Sequence, residues 1–164
     1  MSLDNKPLYT GGCQCGAVRF RIEGALAGAS VCHCRMCQKA FGNFYAPLVT
    51  VQEGTLNWTR GEPKRYRSSN HVQRGFCTEC GTPLTYEAPD GLALAIGAFD
   101  TPEAIAPTVQ FGVETKIPYV DTIHKLPRRL TEEDVEAASF LASIVSNQHP
   151  DHDTESWPRE ERHE

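Results

Sequence analysis

The 164-residue chain has no apolar run approaching the roughly 18 residues of a membrane-spanning helix. Its first residues, MSLDNKPLYTGG, lack both the cationic start and the apolar stretch of a secretory leader. A cytoplasmic protein is the expectation. No strong excess of one charge is present either, the net charge being −5. That charge is unevenly spread: residues 1–130 sum to +3 and residues 131–164 to −8. The only basic cluster, RGEPKRYR at 60–67, reads as a solvated strand edge, so nucleic acid is not an expected partner. Internal repeats are missing, and so is an even number of cysteines. Seven cysteines cannot all pair within one chain. In a reducing compartment, clustered cysteines indicate metal binding or catalysis rather than disulfides.

What is present fits a soluble domain of ordinary size: 40% hydrophobic and 23% charged residues, in a length that buries a real core. The segment AVRFRIEG alternates Val18, Phe20 and Ile22 with Arg19, Arg21 and Glu23. Period two is the mark of a half-buried strand. Short strand-like runs follow at 44–51, 55–59, 64–68, 72–76, 83–88, 92–99 and 108–114, separated by Gly, Pro or polar turn signals. The pattern predicts an all-β fold. A short helical turn is expected from Met36, ended by Gly42. Residues 131–146 are predicted to form a C-terminal amphipathic helix. Thr131 would be its N-cap, acidic residues would fill its first turn, and Val135, Ala138, Leu141, Ala142 and Val145 recur at helical spacing. Residues 147–164 have no periodicity and read as a polar, acidic tail, disordered or ordered by contact.

The cysteines fall into three groups: Cys13 and Cys15 in GGCQCGA, Cys32, Cys34 and Cys37 in VCHCRMC, and Cys77 and Cys80 in GFCTECGT. A C-x-x-C turn aims both sulfurs at one point about 2.3 Å from a zinc ion. Gly81 directly after Cys80 suits such a turn. The two pairs can make one closed four-thiolate site. The triplet remains, and three thiolates with an open fourth position are the pattern of a catalytic metal. Two other readings of the triplet stay open. It can be a second structural zinc completed by His33, His71 or His124, although His33 lies between two ligands and is expected to point away. Alternatively, Cys34 and Cys37 can be redox-active.

The blocks GGCQCGAVRF, CHCRMCQKAFG, GFCTECGTPL and AIGAFD resemble those of the glutathione-dependent formaldehyde-activating enzyme family, which includes centromere protein V. KIPYVDTIHKLPRRL at 116–130 resembles the family's C-terminal block, so the likeness spans residues 9–130 and keeps all seven cysteines in order. The resemblance implies a β-tent of antiparallel zinc-bearing sheets. It implies a structural zinc on Cys13, Cys15, Cys77 and Cys80 and a catalytic zinc on Cys32, Cys34 and Cys37. It implies a carbon–sulfur lyase that joins glutathione to formaldehyde, with a small thiol and an aldehyde as partners.

Three thiolates leave such a zinc formally anionic, so thiol activation is a more credible role for it than Lewis acidity. A nearby cation would help, and Arg35, Lys39 and Arg74 are the candidates. Phe41, Phe44, Tyr45 and Phe99 can wall the pocket, with ordinary core packing the alternative for each. Arg35, Lys39 and Phe99 are the expected cofactor-binding residues beside the triplet. Tyr119 stands where family members often carry Trp. Two rival functions remain: a non-catalytic two-zinc binding module, and a redox enzyme with metal-free cysteines.

Overall fold

The computed structural model describes residues 6–134 and 138–157. Among these described residues, ten strands form two sheets. The small sheet has the order β1-β2-β5, with β1 Leu8–Gly12, β2 Arg19–Glu23 and β5 Leu56–Arg60. The large sheet has the order β10-β3-β4-β9-β8-β7-β6. Its strands are β3 Leu26–Cys32, β4 Ala46–Val51, β6 Lys64–Arg67, β7 Gln73–Phe76, β8 Pro83–Ala88, β9 Gly91–Ala95 and β10 Val109–Phe111. Every pairing is antiparallel except the edge pair of β10 with β3. This is the expected all-β architecture. None of the described helices is long and apolar enough to cross a membrane.

The core lies where the two sheets meet. Phe20, Ile22, Val49, Leu84 and Leu94 are fully buried. Phe20 packs edge-to-face on Trp58 and Phe99, and Tyr9 does the same on Phe99, a geometry favoured by the ring quadrupole. The alternation read in AVRFRIEG holds at Phe20 and Ile22, with Arg21 and Glu23 exposed. Arg19 departs from it. The pairing of β2 with β5 shifts register between Arg19 and Phe20, and such irregularities re-aim side chains. Arg19 is buried, its guanidinium bidentate to Asp100 at 2.6 and 2.8 Å and also bonded to Asp153.

Three readings of the sequence change. Strands β1 and β3 carry no alternating signature, because LYTGG and LAGASVC are rich in small residues. They are strands because their neighbours pair with them. The run at 92–99 is a strand only to Ala95; a 3-10 turn over Ile96–Ala98 then turns Phe99 into the core. Among the described residues, the helix predicted over 131–146 shows two 3-10 turns at Thr131–Asp134 and Ser139–Ser143; residues 135–137, Val135 of the predicted stripe among them, lie outside the described residues. Of the described stripe residues, Ala138 and Leu141 are half-buried while Ala142 and Val145 are exposed, so the stripe is at most partly covered. Short helices draw most of their stability from such burial.

The Arg19–Asp100 pair has a defined pH signature. Burial alone would raise the Asp100 pKa. The bonds from Arg19 and Thr10 overcome that and hold it below its ordinary value of 3.8. A carboxylate depressed in the folded state stabilises the fold fully above its unfolded pKa, and that contribution is lost as pH falls through the folded value. Asp100→Asn should therefore cost about 3 kcal/mol at neutral pH, the usual loss when one partner of a buried pair is removed. The gap to the parent should begin to narrow below about pH 4, near the unfolded carboxylate pKa, and shrink further as pH falls toward the lower folded value. Urea unfolding of both proteins between pH 3 and 7 checks this, and a gap that stays constant across that range would contradict it.

Candidate metal centres

The first cluster joins two turns. Cys13 and Cys15 lie between β1 and β2, and Cys77 and Cys80 lie between β7 and β8. The backbone closes both turns: Gly16 N–H donates to Cys13 O, and Gly81 N–H to Cys77 O. Gly81 has φ +77°, the left-handed conformation expected of a glycine after the second cysteine. The two turns are tied by the Gln14 N–H bond to Thr82 Oγ1 at 3.0 Å. All four sulfurs lie within 4.8 Å of one another, with Cys13–Cys15 at 3.6 Å and Cys15–Cys77 at 3.9 Å. Ligands 2.3 Å from a tetrahedral centre sit about 3.8 Å apart. The donor set therefore fits a zinc ion, and none of the seven cysteines is in a disulfide.

Protonation points the same way. Burial pushes the Cys13, Cys15 and Cys77 thiols up. Burial also acts to raise Cys80, but bonds from the Thr82 hydroxyl and amide and from the Cys15 amide bring it down to about 6. The three buried thiols, Cys13, Cys15 and Cys77, need a cation if they are to be thiolates.

The C-terminal segment straps this knuckle. His149 N–H donates to Gln14 O at 2.7 Å, and Trp157 Nε1–H donates to Cys15 O. Arg60 bonds Gly16 O on one side and Thr154 on the other. Asp153 reaches Arg19. A Cβ at Gly16 would overlap the His149 imidazole, so the strap needs glycine there. Residues 147–157 of the predicted tail are thus ordered by contact, while residues 158–164 lie outside the described residues. Between strap and knuckle is a cavity of about 460 Å³ lined by Cys13, Cys80, Arg19 and Phe99 among others. Phe99, expected beside the triplet, belongs here instead. The residue that ends AIGAF turns into the core above β1, bridging Gly11.

The triplet is built around a helix start. Cys32 ends β3. Cys34 is the N-cap of α1, Arg35–Phe41, its sulfur accepting the Cys37 N–H at 3.4 Å, and Cys37 sits in the first turn. Gly42 ends the helix in the left-handed conformation, as expected. The three sulfurs lie within 4.8 Å of one another, and among the described residues no histidine nitrogen joins them. His33 points away, fully buried, with Nε2 3.0 Å from Gln110 Oε1 and its ring edge-on to Tyr45. His71 and His124 are exposed. No protein fourth ligand is therefore supplied by the described residues.

Residues absent from the sequence reading hold this segment. Gln38 Nε2 donates to His33 O at 2.8 Å and to Thr115 O at 3.1 Å, and Thr115 Oγ1 donates to His33 O. His33 N–H donates to Phe111 O. Gln110, Thr115 and Gln38 have no motif of their own; only the contact of β10 with β3 gives them this role.

Of the three candidate cations, Arg74 reaches the cluster. Its Nη2–H donates to Cys37 Sγ at 3.3 Å, its Nε–H donates to Ser68 Oγ, and its guanidinium lies 5.1 Å from the Tyr86 ring centroid. Arg35 and Lys39 are exposed and, with Phe41, Tyr66 and Arg74, line a cleft of about 600 Å³ between α1 and β6–β8. Phe44 packs on Tyr119 and Tyr45 on His33, away from that lining. Burial, reinforced by neighbouring thiols, pushes Cys32 up to about 12. It also pushes Cys37 up against the pull of Arg74. Cys34 ends below its ordinary value despite burial, through bonds from the Cys37 amide and the neighbouring thiols and through the charge of Arg74.

Residues 8–115 match the sequence pattern of the family described as glutathione-dependent formaldehyde-activating enzyme. The match takes in all seven cysteines and stops short of the 116–130 block and the strap. An uncharacterized lyase of Schizosaccharomyces pombe (strain 972 / ATCC 24843) is 28% identical over 85 residues, 52% of this chain and 61% of that protein. The chain thus spans less than two thirds of that relative. A crystal structure of a Rhodobacter sphaeroides protein superposes with a TM-score of 0.51 at 22% identity, covering 62% of this chain and 98% of that one. That likeness is one of fold.

The two clusters should respond differently to loss of a ligand. Cys80→Ser should abolish cooperative thermal unfolding, because binding to a structural thiolate site is largely folding energy. Cys37→Ser should keep a cooperative melt and lose one bound metal. Calorimetry with metal analysis checks both, and a normal melt for Cys80→Ser would overturn the structural assignment. Ending the chain after Asn147 should speed metal loss to a chelator about tenfold, the usual scale for removing groups that brace metal ligands. An unchanged release rate would show that the strap does not guard the knuckle.

Proposed function

The chain belongs to the glutathione-dependent formaldehyde-activating enzyme family, and on that premise we propose that it is a zinc-dependent carbon–sulfur lyase joining a small thiol to an aldehyde, with glutathione and formaldehyde as the named pair. One observation carries the reading: three cysteine sulfurs converge, and no fourth ligand comes from the described residues. Such a site has room for a substrate sulfur. Cys13, Cys15, Cys77 and Cys80 would hold a structural zinc, and Cys32, Cys34 and Cys37 a catalytic one. A zinc ion held by the triplet supplies acidification of a thiol near neutral pH and, secondarily, polarisation of a carbonyl.

The chain's own residues do the rest. The Cys34 cap and the Gln38–His33–Thr115 bonds fix the spacing of the three sulfurs, so no reorganisation is needed when substrate arrives. The cleft between α1 and β6–β8 gives the body of the thiol a place to lie, with Arg35 and Lys39 exposed at its wall for carboxylates. Holding thiol and aldehyde together removes an entropic barrier. In the joining step the sulfur attacks the carbonyl carbon and a C–S bond forms. The carbonyl π pair moves to oxygen, and the thiol proton ends there. The lyase direction is the reverse.

A second reading has one observation in its favour. Cys34 is both a helix N-cap and the thiol held below its ordinary pKa, with Cys37 beside it, as a redox pair would require.

Metal analysis on anaerobically purified protein, followed by cobalt substitution with and without glutathione, separates the two. The proposed function requires two metals per chain and a cobalt spectrum that shifts on adding thiol, with formaldehyde then consumed. Two metals and no shift favour a non-catalytic module. One metal with a reducible Cys34–Cys37 disulfide favours redox chemistry.

A further inference from the structure

Arg74 is 7% exposed, and a buried guanidinium needs an anionic partner. Among the described residues, no carboxylate forms an ion pair with it. Its nearest anion-forming neighbour is sulfur: Nη2 lies 3.3 Å from Cys37 Sγ. Ser68 and the Tyr86 ring hold the group in place, and its position on β7, paired with β6 and β8, makes the mounting rigid. One donor is left over. Nη1 is buried and has no partner, although a buried unpaired donor is costly. Arg35 and Lys39, the other candidate cations, are exposed.

We propose that Arg74 is the positioning residue and counter-cation of the triplet site, donating to Cys37 and offering its unpaired Nη1 to the anionic sulfur that arrives with the substrate. The inference rests on the thiol-accepting reading above. A dication with three thiolates already carries one net negative charge, and a fourth thiolate adds another. Arg74 offsets that second charge from inside the fold, where screening by salt is weakest. A neutral site of the same shape would take a thiol only at higher pH.

The test compares the parent with Arg74→Met and Arg74→Lys, each loaded with cobalt, by titrating glutathione from pH 6 to 9 and reading the thiol-induced shift in the cobalt spectrum. Folding is followed by the melt and by the spectrum of the four-cysteine site. Arg74→Met should bind glutathione about tenfold more weakly and reach half-binding about one pH unit higher, the scale of an opposite charge a few ångströms away. Arg74→Lys, which keeps the charge but not the fork, should recover most of the difference. If the parent responds to thiol and Arg74→Met matches it in affinity and pH profile, Arg74 is only packing and the inference falls while the proposed function stands. If the parent itself shows no response, the proposed function falls and takes the inference with it. Should Arg74→Met not fold, Arg74→Gln, which keeps a donor for Cys37 without the charge, takes its place with the same expected loss.

Discussion

Four sulfurs from two distant turns meet within 4.8 Å, and the rest of the molecule is arranged around that meeting. Cys13 and Cys15 belong to the small sheet's first turn. Cys77 and Cys80 belong to a hairpin of the large sheet. The two sheets are thus held together at one end by a cluster that closes a chain loop of more than 60 residues. Closing such a loop is entropically costly, and a metal ion held by all four sulfurs would offset that cost only once the flanking strands are in register. The same register places Phe20, Phe99 and Leu84 in the core below the knuckle. The Arg19–Asp100 pair and the C-terminal strap add polar ties around its rim.

The second cluster follows a different logic. Its three cysteines are close in sequence, so bringing them together costs little. Among the described residues no fourth ligand joins them. His33 turns away, into a part-buried bond with Gln110. Arg74 approaches Cys37 from a strand on the far side of the large sheet's centre. Three acceptor and donor bonds around His33 and Thr115 keep the helix start from shifting. The family match ends at residue 115, where this bracing also ends. The strap over the knuckle belongs to the part of the chain beyond it.

Much of this was legible in the residues. Period two in AVRFRIEG, the C-x-x-C turn before Gly81, and the division of seven cysteines into four and three are local facts, and local facts survive folding when nothing competes with them. The readings that changed did so where a distant partner prevailed. Arg19 is polar and alternates with Phe20, yet it is buried because Asp100 lies opposite it. LAGASVC has no strand signature, yet it is a strand because β4 and β10 pair with it. The apolar stripe at 131–146 is only partly covered among its described residues, which include two 3-10 turns.

By itself, the sequence determined the fold class, the two sets of cysteines that could hold metal and the family, because each depends on residue type and short spacing. The tertiary structure alone decided which cation reaches the triplet, that Phe99 packs beside the knuckle and that the acidic tail returns as a strap. Each of these is a contact between groups tens of residues apart. Such contacts are set by strand order and by the burial of charge against charge, and no local pattern in the chain encodes them.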